Sequence, residues 1–151
     1  MKTIIKKFEE LSTRELYEIL RLRVDVFVVE QECAYPEIDG KDIGSIQLYF
    51  EENSEIIAYM RILPKGMSYE SASLGRVIVK GNHRGKKLGN LLLEEGLKYI
   101  DNVMKEDIVT IGAQEHLENF YEEFGFVKIS PMYLEDGIKH IDMRREISKG
   151  E

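Results

Sequence analysis

Tryptophan is absent from the chain, cysteine occurs once and proline three times. A lone Cys33 closes no internal disulfide, which excludes a disulfide-stapled scaffold and leads us to expect a reducing compartment. Long apolar runs are also missing. None approaches the roughly 20 residues of a membrane span, and no charged-then-apolar opening precedes a cleavage-like site. The expectation is a soluble cytoplasmic protein with no membrane partner. Excess positive charge is lacking too: the net charge is -7, against a broad nucleic-acid footprint. His116 and His140 have no Cys or acid at metal-ligand spacing beside them, so no metal is expected. With 151 residues, no repeat, no low-complexity tract and no Pro- or Ser-rich linker, residues 1–151 read as one domain with a sizeable core.

What the chain does have is concentrated between Leu74 and Leu93. Val77, Ile78 and Val79 form a short apolar strand, Gly81 and Gly85 mark a loop, and Leu88, Leu91 and Leu92 share a helical face. That loop carries Lys80, Arg84, Lys86 and Lys87, with His83 among them and no acid. A helix opening there leaves its first N–H groups unpaired and its positive dipole end outward, while glycines let an anion approach the backbone. The bland alternative is a solvated turn. A nucleotide-binding P-loop is excluded, because three residues rather than four separate Gly81 from Gly85 and no hydroxyl follows Gly85-Lys86. No G-x-G-x-x-G dinucleotide fingerprint fits either.

Around this stretch, residues 3–8 read as a first strand. Ser12 and Glu15 form a capping box for a helix whose stripe runs through Leu16, Ile19, Leu20, Val24, Phe27 and Val28. From Glu30 to Asp42 regular structure dissolves at Pro36 and Gly40, and acids outnumber Lys41 five to one. Residues 46–52 and 56–63 read as a hairpin, and residues 75–80 as the next strand. A helix follows from about Lys87 to Val103, then a strand at Ile108–Ile111. That order implies parallel neighbours joined by a right-handed crossover. A helix through Leu117, Phe120, Tyr121 and Phe124 stops at Gly125. Phe126–Ile129 and Ile138–Arg144 close the chain, joined by a turn at Leu134–Gly137. The sum is a three-layer α/β domain with a mixed, mostly antiparallel sheet.

Val77–Val79 followed by Arg84-Gly85-Lys86-Lys87-Leu88-Gly89 resembles the acetyl-CoA-binding motif of the GNAT superfamily of N-acetyltransferases. Arg84 and Gly89 fit, and Lys87 stands where the family usually has its middle glycine. Arg23–Asp42, Ala113–Phe126 and Tyr133–Arg145 resemble the ElaA-like branch, so the likeness spans nearly the whole chain. The resemblance implies a GNAT-like α/β/α fold whose sheet splays at two central parallel strands, with the pantetheine arm of acetyl-CoA in the gap. It implies the CoA diphosphate on the N–H groups of Gly85–Gly89, with Lys80, Arg84, Lys86 and Lys87 reaching phosphates. It also implies the strand Val77, Ile78, Val79 pairing with the arm and offering an N–H to the thioester oxygen. By the same resemblance Gln114 contacts the arm and Tyr121 returns a proton to the departing thiolate. A core tyrosine would show the same helical pattern.

Acetyl transfer needs an unprotonated amine, whereas lysine-like amines titrate near ~10.4, so a proton acceptor is required. Entrance acids can attract a cationic small or peptide amine and take its proton: Glu30 and Asp39 are the candidate bases, and Glu37, Asp42 and Glu135 the candidate acceptor contacts. Arg76 reads equally as a substrate contact or as the ion-pair partner of a loop acid. His140 matches the resembled tail and reads as an acceptor-pocket residue or as a plain strand residue. Cys33 has no histidine arranged beside it for nucleophilic chemistry. Two other functions stand beside the acetyltransferase. RLRVDVFVVEQE and the acids after it resemble acyl-homoserine-lactone synthases, and Lys87 in the glycine position favours a non-catalytic CoA-binding sensor. A homodimer is left open.

Overall fold

The computed structural model describes residues 1–147. Four strands, β1 (Lys2–Lys7), β2 (Ile46–Glu52), β3 (Glu55–Leu63) and β4 (Ser73–Val79), form one antiparallel sheet in that order. β2 and β3 turn through Asn53 and Ser54, both at positive φ (52° and 62°), the backbone twist that a two-residue hairpin requires. A second antiparallel sheet contains β5 (Ile108–Gln114), β6 (Val127–Lys128), β7 (Tyr133–Glu135) and β8 (Ile138–Glu146), with β8 pairing the other three. The helices are α1 (Thr13–Val24), α2 (Leu88–Tyr99) and the short α3 (Glu118–Glu122).

The two sheets touch between β4 and β5 through one parallel bridge. Ala72 lies opposite Val109, and the Thr110 N–H donates to the Ala72 carbonyl at 3.0 Å. Beyond Ala72 the strands part, and β4 has no strand partner on that edge among the described residues. This is the expected splay of a mixed, mostly antiparallel sheet.

Strand alternation divides the interior into two layers. Leu48, Phe50, Met60 and Ile62 point to one face, where Leu92, Leu93 and Leu97 of α2 cover them. Tyr49, Tyr59 and Ile78 point to the other, against Ile19 and Leu22 of α1. Burial of each fully enclosed aliphatic side chain contributes about 1.5–3 kcal/mol, so both helices are held by tertiary contact rather than by propensity. Gly96 permits the close approach of α2 to β3, since a Cβ there would lie 2.5 Å from the Met60 sulfur.

Several boundaries differ from the sequence reading. The first helix gives way at Asp25 to a wider turn of i→i+5 type over Asp25–Glu30, and α2 ends likewise over Ile100–Met104. Leu117 lies in a tight turn before α3, which is shorter than its apolar stripe suggests. Leu134 and Glu135 are strand rather than turn; the chain reverses at Asp136 and Gly137, both at positive φ (50° and 79°).

Candidate active site

The cationic loop between β4 and α2 is built by backbone conformation. Gly81–His83 makes a tight turn, Gly85 has φ +83° and Lys87 takes φ 59° immediately before α2. A left-handed non-glycine residue costs about 1–2 kcal/mol, so Lys87 makes the turn a glycine would make more easily. Arg84 ties the loop to the strand by donating Nε–H to the Val79 carbonyl at 2.8 Å. Its Nη2 also meets Glu30 Oε2 at 2.8 Å, and Lys80 pairs with Glu55. Lys86 and Lys87 have no carboxylate partner among the described residues. Val79, Arg84, Gly85, Lys87, Leu88 and Gly89 enclose a 320 Å³ depression against the start of α2.

Val79 and Arg84 also border a larger cleft of 860 Å³ where β4 and β5 separate. Arg76–Val79 supply one wall, Ile111–Gln114 the other, and Tyr121, Glu135 and His140 reach in from α3, β7 and β8. On β4 the pair Arg76 and Val77 lies opposite Met60 alone, a bulge in which Arg76 takes φ 53°; such bulges re-aim side chains and interrupt ladder pairing. Tyr121 packs edge-on against Phe120 and Phe126. Burial pushes its phenol up to about 12, so the hydroxyl keeps its proton through the neutral range, and it donates to no protein group among the described residues.

Three arginines and three acids interlock at one wall of the cleft: Arg61, Arg76 and Asp39 border it, and Arg23, Glu37 and Asp42 are buried behind them. Arg23, fully buried, donates Nε–H to Glu37 at 3.0 Å and Nη1–H to Asp42 at 2.5 Å. Arg61 grips Asp39 with two bonds of 2.8 and 2.6 Å and meets Asp42 at 3.2 Å. Arg76 donates Nε–H to Glu37 at 2.6 Å and Nη2–H to the Glu37 carbonyl at 3.1 Å. Its guanidinium lies 5.7 Å from the centre of the Tyr35 ring. Burial alone would raise the Asp39 pKa, but Arg61, the Lys41 N–H and Arg76 outweigh it and hold the carboxyl well below the usual range. Buried charge of this kind is tolerated because every member has an ion-pair partner, although Arg61 Nε is left without a hydrogen-bond acceptor among the described residues.

A sequence profile of the acetyltransferase (GNAT) domain matches residues 16–147. The chain belongs to the GNAT acetyltransferase family. It is 44% identical over 140 residues to protein ElaA of Escherichia coli K12, covering 91% of this chain and 92% of that protein. The crystal structure of E. coli ElaA superposes with a TM-score of 0.90 at 41% identity, covering 96% of this chain and 99% of that one. An acyl-CoA N-acyltransferase from Pseudomonas aeruginosa gives 0.91 at 37% identity with the same coverage. The acyl-homoserine-lactone synthase LasI, at 18% identity and 0.76 over 96% of this chain and 89% of that one, shares the fold alone. This GNAT protein is therefore an ElaA-like acyltransferase.

Within this acyltransferase, Glu30, Asp39, Arg76, Val77, Ile78, Val79, Arg84, Gln114, Tyr121, Glu135 and His140 are brought to one cleft, and Gly85, Lys87, Leu88 and Gly89 to the depression beside it. Lys86 stands exposed next to that depression. Glu37 and Asp42 are not brought to the cleft: both are buried behind its wall as arginine partners. Asp39 is a poor proton acceptor, because two arginines favour its ionised form. For Arg76 the structure shows the ion pair, with Glu37. Glu30 pairs with Arg84, and the exposed His116 borders the cleft. Arg23 and Arg61 were not anticipated, yet both carry a signal. Arg23 falls at helical spacing between the apolar Ile19 of α1 and Phe27 of the wider turn that follows it, and Arg61 is the one charge within the run Ile56–Leu63.

Proposed function

We propose that this acyltransferase moves the acetyl group of acetyl-CoA to a primary amine of a small cationic or peptide acceptor, by direct attack of the nitrogen on the thioester. The carrying observation is the continuity of an unpaired strand edge with a cationic helix-start loop. Among the described residues, β4 is open beyond Ala72 and runs into Gly81–Gly89, where Lys86 and Lys87 have no carboxylate partner beside a depression. A diphosphate suits the helix start and its cations, and an amide-rich arm suits a free strand edge.

In this reading an N–H of Val77–Val79 donates to the thioester oxygen as charge develops there. The acceptor nitrogen forms the new C–N bond, the C–S bond breaks, and Tyr121, protonated and unpartnered, gives its proton to the sulfur. Gln114 contacts the arm from β5. Glu30 and Glu135 at the rim attract the cationic acceptor, and the lone thiol of Cys33 supports a cytoplasmic setting. Lys87 takes the left-handed turn in place of the usual glycine, which supports a loop shaped for the donor over a non-catalytic sensor.

Calorimetric titration of acetyl-CoA into the protein and into a Lys86→Glu/Lys87→Glu variant tests the donor site. Micromolar affinity that falls at least about tenfold in the variant is expected from the loss of two phosphate-facing cations; no binding by the unaltered protein would sink the reading. For the chemistry, Tyr121→Phe is expected to lower kcat by about a hundredfold, read as CoA thiol release, with acetyl-CoA affinity retained. An unchanged kcat in a folded variant removes Tyr121 from the mechanism.

A further inference from the structure

The acceptor side of the cleft ends in a histidine whose proton placement is set by the fold. His140 lies opposite Tyr133 across the β7–β8 pair and opposite Gln114 across the β5–β8 pair. Its Nδ1 is 2.8 Å from the Ile138 carbonyl oxygen. A carbonyl only accepts, so Nδ1 carries the hydrogen and the neutral ring keeps its lone pair on Nε2. That Nε2 stands 3.5 Å from Glu135 Oε2, a carboxylate placed to stabilise the ring once it has gained a proton.

The ring is also held in orientation. Tyr133 stacks on it at 6.0 Å between centroids and 24° between planes. The Tyr133 hydroxyl donates to Asp142 Oδ1 at 2.6 Å, and Tyr69 donates to the same oxygen at 3.0 Å. Gly112 makes room for both phenols, since a Cβ there would lie 3.1 Å from each hydroxyl. The titratable groups that meet the ring are Glu135 and Tyr133 of β7, and Asp142 of its own strand and Tyr69 from the β3–β4 connection are linked to it through the Tyr133 hydroxyl. None of the ring's contacts among the described residues is to a lysine or arginine.

We propose that His140 is the general base of this acyltransferase, taking the acceptor ammonium's proton on Nε2, with Ile138 and Tyr133 as its positioning residues. The proposal rests on the N-acetyltransfer reading above. The ammonium gives one proton to Nε2, and its freed electron pair forms the C–N bond as the C–S bond breaks. Tyr121 protonates the sulfur, and the second nitrogen proton replaces the one Tyr121 has given up. The imidazolium then releases its proton to water. Asp39, already gripped by Arg61 and Arg76, is left with the task of holding those arginines.

The test uses the tripeptide Ala-Lys-Ala with free amines as acceptor and CoA thiol release as readout, across pH. His140→Asn keeps a donor for the Ile138 carbonyl and has no nitrogen base. Its kcat/KM is expected to fall about a hundredfold or more and to lose the ascending acid limb of the profile, with calorimetric acetyl-CoA affinity unchanged. His140→Ala is expected to recover rate on addition of imidazole, a response that a structural role would not give. An active unaltered protein whose His140→Asn variant keeps the ascending limb, or a His140→Ala variant unresponsive to imidazole, overturns the assignment of the base alone. No thiol release by the unaltered protein with this peptide overturns the base together with the amine-transfer reading.

Discussion

The donor loop and the arginine–carboxylate cluster use the same kinds of charge in opposite ways. In the loop, Lys86 and Lys87 stand in water next to the start of α2, and no carboxylate among the described residues answers them. In the cluster, Arg23, Arg61 and Arg76 are matched by Glu37, Asp39 and Asp42 at 2.5–3.4 Å, most of them with little or no solvent contact. Exposed charges are screened and hold little folding energy, so they are available to a ligand. Buried charges have given up hydration and depend on one another, so the cluster, including Arg61, Arg76 and Asp39 at the cleft surface, holds the shape of the wall through its ion pairs. The loop is chemistry kept free, and the cluster is chemistry already committed.

Breaking the cluster should have the largest effect. Arg23→Met keeps the length of the side chain but strips Glu37 and Asp42 of a fully buried partner, and a loss of about 3–5 kcal/mol in urea unfolding is expected. A loss no larger than that of a surface substitution would mean that the carboxylates rehydrate and that the wall is not held by charge.

Glu15 lies between the two extremes, as a half-buried carboxylate in a local motif. Burial would raise its pKa, but the Ser12 N–H at 2.8 Å, the Tyr49 hydroxyl and Lys6 at 3.0 Å outweigh it and hold it at about 2. A carboxyl lowered on folding stabilises the protein above its ordinary 4.5 and loses that contribution as pH falls through about 2. Glu15→Gln should therefore lower stability by about 1 kcal/mol near neutrality, with the gap from the unaltered protein closing between pH 4.5 and 2. A gap constant with pH would show that the side chain acts by packing rather than by charge.

The smallest effect on folding is expected at the loop. Lys86→Glu/Lys87→Glu, which should cut acetyl-CoA affinity, is expected to leave the urea midpoint within the range of surface substitutions, because acids at a helix start are favourable there. A large fall in the midpoint would mean that the loop, like the cluster, is committed to the fold.

The loop was legible in the sequence because its signals are local. Gly85, Lys87 and the leucine stripe of α2 lie within one short stretch, and backbone conformation follows from neighbours. The hairpin at Asn53-Ser54 and the Ser12–Glu15 cap were legible for the same reason. The acids between Glu30 and Asp42 were legible only as a group. Glu37 and Asp42 are separated in fate from Glu30 by partners 14 to 54 residues away in the chain, and no local pattern encodes those distances. His140 was readable as a candidate for the acceptor side, but its tautomer depends on the Ile138 carbonyl and its orientation on Tyr133 and Asp142, contacts made only when β7 folds back on β8.

By itself, then, the order of residues determined the family, the alternation of strands and helices, the turn chemistry and the position of the cationic loop, since each depends on the period of apolar residues or on a few adjacent ones. Tertiary structure alone decided which acids are neutralised behind the wall and which remain at the rim. It also decided which hydroxyl reaches the cleft without a partner and which histidine nitrogen keeps its lone pair. Those outcomes depend on desolvation and on hydrogen bonds between elements distant in the chain, quantities that exist only after the sheets have parted and the side chains have packed.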